Sequence, residues 1–533
     1  MRKNNPKKIP TILLSILITT ATILSTSFTA SACTAVYIGS KVSKDGTTLI
    51  ARSNDLQGTN GCYVKITERV ENEPGRTMPI DTAGTVFEEL PATTYRCIST
   101  PFFDSFRLYN EFQADAAVCT NEYGVSMTMS VTAYSNERAL KADPLIEHGI
   151  TEDTVNDLII CQSTTAKEAT QKLLSLIDKY GSSEVNIAYI ADQKEVWYIE
   201  MYTGHQYAAV KLPDDVVSVF GNEFSMEYLS DYEECILSTD LEKIPKDNGF
   251  AVYGKNNELN LLDTYSGPET VIDIAHMRTW IGHRILSPSS YDDYDKNAIY
   301  PLCFAPDKKV SLQDVMELMR NRYENTKYSP DETGRTDMSV IGTDESMSVH
   351  IIQIYPSAKP DMSTVVWASL GPAVYGVFVP ISNASNSIYE AYGRNQSVEH
   401  YWEFDTVNYP YYRFKELNTL CIEKNTYEIY GKPVRKYWHE AETKMIAGMD
   451  NVLKKASEMN QDEAHNYVTN YCEHAQQKAF EDAGQILNDV RWFMSDDSST
   501  LKNAINQKLE VLDEMRELMP IIIPLDPSGY SPQ

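Results

Sequence analysis

Positive charge is scarce in this 533-residue chain: 47 Lys and Arg stand against 75 Asp and Glu, a net charge of −28. That balance argues against nucleic acid or anionic lipid as a partner. Histidine is rarer still, at nine residues, with no H-E-x-x-H spacing. The nine cysteines (33, 62, 97, 119, 161, 235, 303, 421 and 472) form no C-x-x-C pair and follow no regular spacing. A zinc site is therefore not expected, nor any other metal or cofactor. Beyond the first two dozen residues no apolar run is long enough to span a bilayer, which takes about 20 residues. There is no internal repeat and no linker. With 34 tyrosines the chain is not a disordered one either.

What is present begins at the N-terminus. Arg2, Lys3, Lys7 and Lys8 precede an apolar run from Ile9 to about Leu24, and Ala30-Ser31-Ala32 follows. A basic start, a short apolar middle and an A-x-A end predict a cleaved secretory signal at 1–32. Beyond position 32, 43 basic and 75 acidic residues leave a net charge of −32, which suits solubility outside a bacterial cell. Export makes disulfides chemically accessible, and an odd number of cysteines leaves at least one without an intramolecular partner.

From Cys33 to about Phe220 the pattern is strands and short turns. Residues 33–38 (CTAVYI) and 47–52 (TTLIAR) flank Lys44-Asp45-Gly46 and predict a hairpin. Strands are also expected at 124–134, 185–191, 195–201 and 206–211, an antiparallel meander. Thr165 with Glu168, and Ser311 with Asp314, predict two capped helices. Strands return at 347–355, 363–369 and 374–380. Near 435 the period changes. Trp438, Met445, Met449, Val452 and Ala456 recur at helical spacing, and further helices are expected over 464–494 and 499–518. The organisation is thus 1–32 signal, 33–435 main domain, 436–518 helical part, and 519–533 a Pro-rich tail read as extended.

Cleavage after Ala32 would give Cys33 a free α-amino group, whose pKa of about 7.7–8.0 leaves an appreciable neutral fraction near pH 7. One residue then supplies nucleophile and general base, so no Cys–His pair is needed. The return strand carries Arg52 and Asp55 back alongside. They could stabilise a thiolate or hold the amine, but on spacing alone they read first as a surface ion pair after a turn.

C-T-x-x-x-x-G at 33–39, D-G-T at 45–47 and A-R-S-N-D at 51–55 resemble the start of the dipeptidase A family of N-terminal-nucleophile cysteine hydrolases, relatives of the choloylglycine hydrolases and penicillin V acylases. The resemblance continues through NEYGVSMTMSVTAYSN (121–136), GITEDTVNDLIICQSTTAKEAT (149–170), ADQKEVWYIEMYTGHQYAAVKLPDD (191–215), N-E-F (222–224), R-T-W (278–280) and WASLGPAVYGVFVPI (367–381), spanning roughly Cys33 to Phe493. It implies an α+β fold, a four-layer αββα sandwich with C-terminal helices, and a thiol protease acting on dipeptides or short peptides. It also implies Cys33 as nucleophile and base, Arg52 and Asp55 lining the site, Asn222 as oxyanion donor and Arg278 as a second site arginine. Read without the resemblance, Asn222 is a turn residue after Phe220-Gly221, Arg278 a helix-surface arginine with Arg284 close by, and Thr132 an inward strand threonine. Family members that stay in the cytosol expose the cysteine by losing Met or a short propeptide, whereas a long export signal stands here.

Two other readings remain at this level. Ala30-Ser31-Ala32-Cys33 approximates a lipobox, which would make Cys33 the lipid anchor of an extracellular binding protein. An acylase of the same fold would cleave N-acyl amides in place of peptides. A free dipeptide presents an ammonium and a carboxylate, so its pocket needs fixed charges of both signs; Arg278 could serve one, but no acidic partner is identifiable. Self-association is left open. His205, His276, His283 and His350 read as polar strand or helix residues, Asp231-Tyr232-Glu233-Glu234 as a solvated face, and Asn383-Ala384-Ser385 as a chance glycosylation sequon.

Overall fold

The computed structural model describes residues 33–532 except 56–60, 105–115, 132, 268–272, 336–337, 423–426 and 496–524. The expected signal at 1–32, the expected helix at 499–518 and Thr132 lie outside the described residues.

Fourteen strands build two antiparallel sheets. In chain order they are β1 (Ala35–Ile38), β2 (Thr48–Asp55), β3 (Lys65–Thr67), β4 (Cys97–Pro101), β5 (Ala116–Asn121), β6 (Ser126–Val131), β7 (Asn186–Ala191), β8 (Val196–Met201), β9 (Tyr207–Lys211), β10 (Val217–Phe220), β11 (Cys235–Leu237), β12 (Ser346–Ile354), β13 (Thr364–Leu370) and β14 (Val379–Ser382). Sheet A runs β10-β1-β2-β12-β13-β14, and sheet B runs β11-β9-β8-β7-β6-β5-β4-β3. The β1–β2 turn depends on Gly46, at φ 80°, and on Asp45, whose Oδ1 accepts from Ser43 Oγ, Thr47 N and Thr47 Oγ1.

Strand alternation stacks the layers. On β7, Ile187, Tyr189 and Ala191 join the core shared with sheet A, while Ala188 and Ile190 join a second core. Tyr189 meets Tyr37 of β1 and Phe220 of β10 across the sheet interface, with centroids 6.3 and 5.9 Å apart. The second core lies under helices α1 (Glu152–Ile160) and α2 (Ala166–Tyr180), through Leu158, Ile159, Leu173 and Ile177. The outer side of sheet A is covered by α3 (Asp273–Leu286), α4 (Leu312–Met319), α5 (Pro410–Ile422), α6 (Lys432–Ala456) and α7 (Gln461–Ser495). Helices, sheet, sheet, helices: the fold is the α+β four-layer αββα sandwich.

The caps behave nearly as read. Ser311 and Asp314 form a complete capping box. At Thr165 only half of one forms, because Glu168 turns back to Thr164 N. Trp438, Met445, Met449, Val452 and Ala456 are fully buried, and their helix, α6, shares one core with sheet A.

Two expectations fail locally. The strand expected at 374–380 begins only at Val379, because other groups bond the backbone before it: Arg320 donates to Ala373 O and Gly376 O, and Glu442 accepts from Phe378 N. The tail is not extended where it is described. Pro527–Tyr530 forms a turn, and Tyr530 is buried with its hydroxyl 2.9 Å from Asp482. Cys62, Cys97, Cys119, Cys161, Cys235, Cys303, Cys421 and Cys472 are free thiols.

Candidate active site

Register brings the site together. Ala35 lies opposite Arg52 on β2 and opposite Phe220 on β10. Two residues further along antiparallel neighbours, Cys33 comes level with Asn54 on one side and Asn222 on the other. The β1–β2 pairing extends to Thr34, which exchanges hydrogen bonds with Ser53: Ser53 N to Thr34 O at 2.9 Å, and Thr34 N to Ser53 Oγ at 3.0 Å.

Cys33 is buried, and Arg52 Nη2 stands 3.5 Å from its Sγ. Arg52 is 1% exposed and lies between the sheets, donating to Asn54 Oδ1 at 3.2 Å and Ala117 O at 3.4 Å. Burial opposes its charge, but Cys33, Glu152 and Asp55 more than restore it. His350, opposite Arg52 on β12, is pushed well below the ordinary imidazole range by burial and by that guanidinium, and its Nε2 pairs with Thr128 Oγ1 at 2.9 Å.

Asp55 occupies the opposite pleat face from Arg52. It is 1% exposed and accepts from Ser53 Oγ at 2.8 Å and from Ser346 Oγ. Burial lifts it to about 6, although Ser346, Ser53, Arg278 and Arg52 all favour the carboxylate. The surface ion pair suggested by spacing is thus overturned: both residues are interior, and each has other partners. Asp55 reaches the Cys33 segment through Ser53.

Arg278, on α3, is also buried, contrary to a helix-surface reading. Its Nη1 donates to the carbonyl of Cys33 and, at 3.0 Å, to Thr34 Oγ1; its Nη2 donates to Asn222 Oδ1 at 2.6 Å. Because Oδ1 takes the guanidinium, the Asn222 amide is oriented with its NH2 as the donor side. The loop carrying Asn222 is held at both ends. Gly221 N bonds Thr279 Oγ1 at 3.0 Å, and a Cβ at Gly221 would stand 2.5 Å from Ala275 O. Ser225 N and Met226 N bond Glu200 Oε1 at 2.8 and 3.1 Å. Burial raises Glu200 to about 7 against those bonds and those from Tyr198 and Tyr202.

All five residues singled out from sequence therefore belong to one buried cluster. Sequence reasoning missed its supports (Thr34, Ser53, Ser346 and Glu200) and also Glu152, whose Oε2 lies 3.5 Å from Arg52 Nη2. An acidic residue in a first helical turn is ordinary complementation of the helix dipole, so Glu152 gave no signal. A cavity of about 270 Å³ adjoins the Asn222 loop, lined in part by Tyr134, Glu223 and His276. His276 pairs with Glu223 at 2.9 Å, His205 with Asp143 at 3.1 Å, and His283 with the carbonyls of Thr279 and Pro301. Among the described residues no group of three or more His, Cys, Asp and Glu is placed to hold a metal ion.

The model of peptidase family C69 matches residues 32–440. The chain belongs to that family. It is a cysteine-type peptidase, and the family match begins at the edge of Cys33. Similar relatives include a probable dipeptidase B of Streptococcus pyogenes serotype M1, 29% identical over 75% of this chain and 82% of that one. A probable dipeptidase of Latilactobacillus sakei is 28% identical over 68% and 76% of the two chains. Among solved structures, a mutant conjugated bile acid hydrolase from Clostridium perfringens covers 68% of this chain and 95% of its own, at 12% identity and a TM-score of 0.31. At that score the fold assignment rests on the layers described above.

Proposed function

We propose that this peptidase is an exported dipeptidase that hydrolyses dipeptides or short peptides through a thioester on Cys33, with the α-amine of Cys33 as its base. One observation carries the reading: Arg52 meets the Cys33 sulfur, while Arg278 joins the Cys33 carbonyl to Asn222. The histidines with resolved partners bond elsewhere, which leaves the base to the cysteine's own nitrogen. The relatives' names support the choice of dipeptide substrate.

In this mechanism removal of residues 1–32 by signal peptidase frees the amine. The amine takes the thiol proton, and sulfur adds to the scissile carbonyl. Asn222 Nδ2 donates to the resulting oxyanion. The C–N bond breaks as the ammonium returns its proton to the leaving amine. Water, deprotonated by the same amine, then attacks the thioester, and the sulfur recovers a proton. Arg52 favours the thiolate throughout.

Protein made to begin at Cys33 should turn over a dipeptide panel, while protein retaining one residue before Cys33 should not. Cys33→Ala should be inactive and Cys33→Ser weakly active. Full activity in the extended protein would overturn the role of the amine. A diacylglyceryl mass on the mature N-terminus would replace the enzyme by a lipid-anchored protein.

A further inference from the structure

Glu200 sits near the end of β8 and is fully buried. Its neighbours Ile199 and Met201 belong to the core under α1 and α2, so strand alternation turns Glu200 the other way, with Tyr198 and Tyr202, toward sheet A. Four donors converge on it, all of them neutral. Its Oε1 accepts from the Tyr198 hydroxyl at 2.6 Å, Ser225 N at 2.8 Å and Met226 N at 3.1 Å, and its Oε2 from the Tyr202 hydroxyl at 3.0 Å. A carboxylate buried among neutral groups is a costly way to hold two tyrosines. What it holds besides them is the chain leaving Asn222. The tyrosines close on the same segment: Tyr198 meets Phe220 edge to face, with centroids 5.5 Å apart, and Tyr202 meets Phe224 at 4.9 Å. Asn222 lies midway between those two phenylalanines in sequence.

We propose that Glu200 is a positioning residue for the oxyanion donor: by fixing the backbone beyond Asn222 it fixes the direction in which the Asn222 amide points. This rests on the oxyanion role given to Asn222 above. The remaining anchors come from one layer, α3. Arg278 holds a single atom of the Asn222 side chain, Oδ1, and the amide can pivot about that bond. Thr279 holds Gly221 N, and His276 pairs with the Glu223 carboxylate. Glu200 ties the same segment to sheet B. A loop bonded to two layers keeps an orientation that one layer leaves free to rock. The stakes are large, because a shift of about 1 Å in a group that meets the transition state costs roughly 100-fold in rate.

The test is a double-mutant cycle in protein beginning at Cys33, read as turnover of one dipeptide. Glu200→Ala should lower kcat by about 10- to 100-fold and leave KM within about threefold of wild type. In an Asn222→Ala background the same substitution should lower kcat by less than about threefold, because the group it positions is gone. Glu200→Gln should stay within about threefold of wild type: its carbonyl oxygen accepts the bonds of Oε1, and its NH2 donates to the Tyr202 hydroxyl. Glu200→Asp keeps the charge but, one methylene shorter, withdraws it from Ser225 and Met226. It should be as slow as Glu200→Ala, and it replaces that variant in the cycle if Glu200→Ala fails to fold. A loss that is undiminished in the Asn222→Ala background would overturn the role of Glu200. So would a Glu200→Asp with wild-type kcat, or a Glu200→Gln as slow as Glu200→Ala. Wild-type kcat in Asn222→Ala alone would overturn the oxyanion assignment beneath it.

Discussion

Replacing Asn222 separates its two jobs. Its Oδ1 accepts a charge-assisted bond of 2.6 Å from Arg278, and its Nδ2 is assigned to the oxyanion. Asn222→Asp keeps an acceptor for Arg278 and places a carboxylate against a buried guanidinium, so folding should be preserved or improved. The same substitution removes the amide donor and sets a negative charge near the developing oxyanion. One oxyanion donor contributes about 2.7–4 kcal/mol, which is roughly 100- to 1000-fold in kcat, with little change in KM. The added charge should push Asn222→Asp to the lower end of activity or beyond it. Asn222→Ala also loses the donor, but it strips an acceptor from Arg278 as well and should cost about 1–3 kcal/mol of stability. Steady-state turnover of a dipeptide and urea denaturation of the three proteins give both readouts. The order for stability is Asp at or above wild type, then Ala; the order for kcat is wild type, then Ala, then Asp. Asn222→Asp retaining more than about a tenth of wild-type kcat would refute the oxyanion assignment, because no carboxylate can supply that donor.

Three further outcomes follow from the packing. Asp55 rises from 3.8 to about 6 on folding, so its contribution to stability is full below about pH 4 and is lost as pH climbs through 6. The stability difference between wild type and Asp55→Asn should shift by roughly 3 kcal/mol in favour of the variant from pH 4 to pH 7.5; parallel profiles would contradict the burial argument. Glu442, fully buried, is held by both terminal nitrogens of Arg320 and by Phe378 N, so Glu442→Ala should cost about 3–5 kcal/mol and show as a lower midpoint in thermal denaturation. Deleting residues 525–533 exposes the pocket that Tyr530 fills and frees the hydroxyl of Tyr471 and the carboxylate of Asp482 from it; about 1.5–3 kcal/mol should be lost, with no effect on the kcat of the folded fraction.

Which features were legible in the sequence depends on what each signal can report. The β1–β2 hairpin was readable because Asp45-Gly46 sits between two β-prone runs, and a turn together with alternation fixes register. That register carries Arg52 and Asp55 to the Cys33 end of the sheet, so their proximity was legible as well. Their burial was not. Spacing along one strand says nothing about what lies over it, and sheet B, which sets Ala117 against Arg52 and Thr128 against His350, comes from residues far along the chain. The same limit explains 374–380. An apolar run reports burial, whereas strand identity depends on who bonds its backbone, and here the bonding groups are Arg320 and Glu442. Glu152 is the sharpest case. Its carboxylate meets Arg52 only because α1 sits across the sheet from β2, and nothing within its own helix distinguishes it from any first-turn acid. A motif search therefore recovers the nucleophile and the groups that share its strands, since those are bound to it by register. Groups delivered by another layer are not bound to it that way: Arg278 on α3 is reached through the R-T-W stretch at 278–280, whereas Glu152 is placed only once α1 is seen beside Arg52.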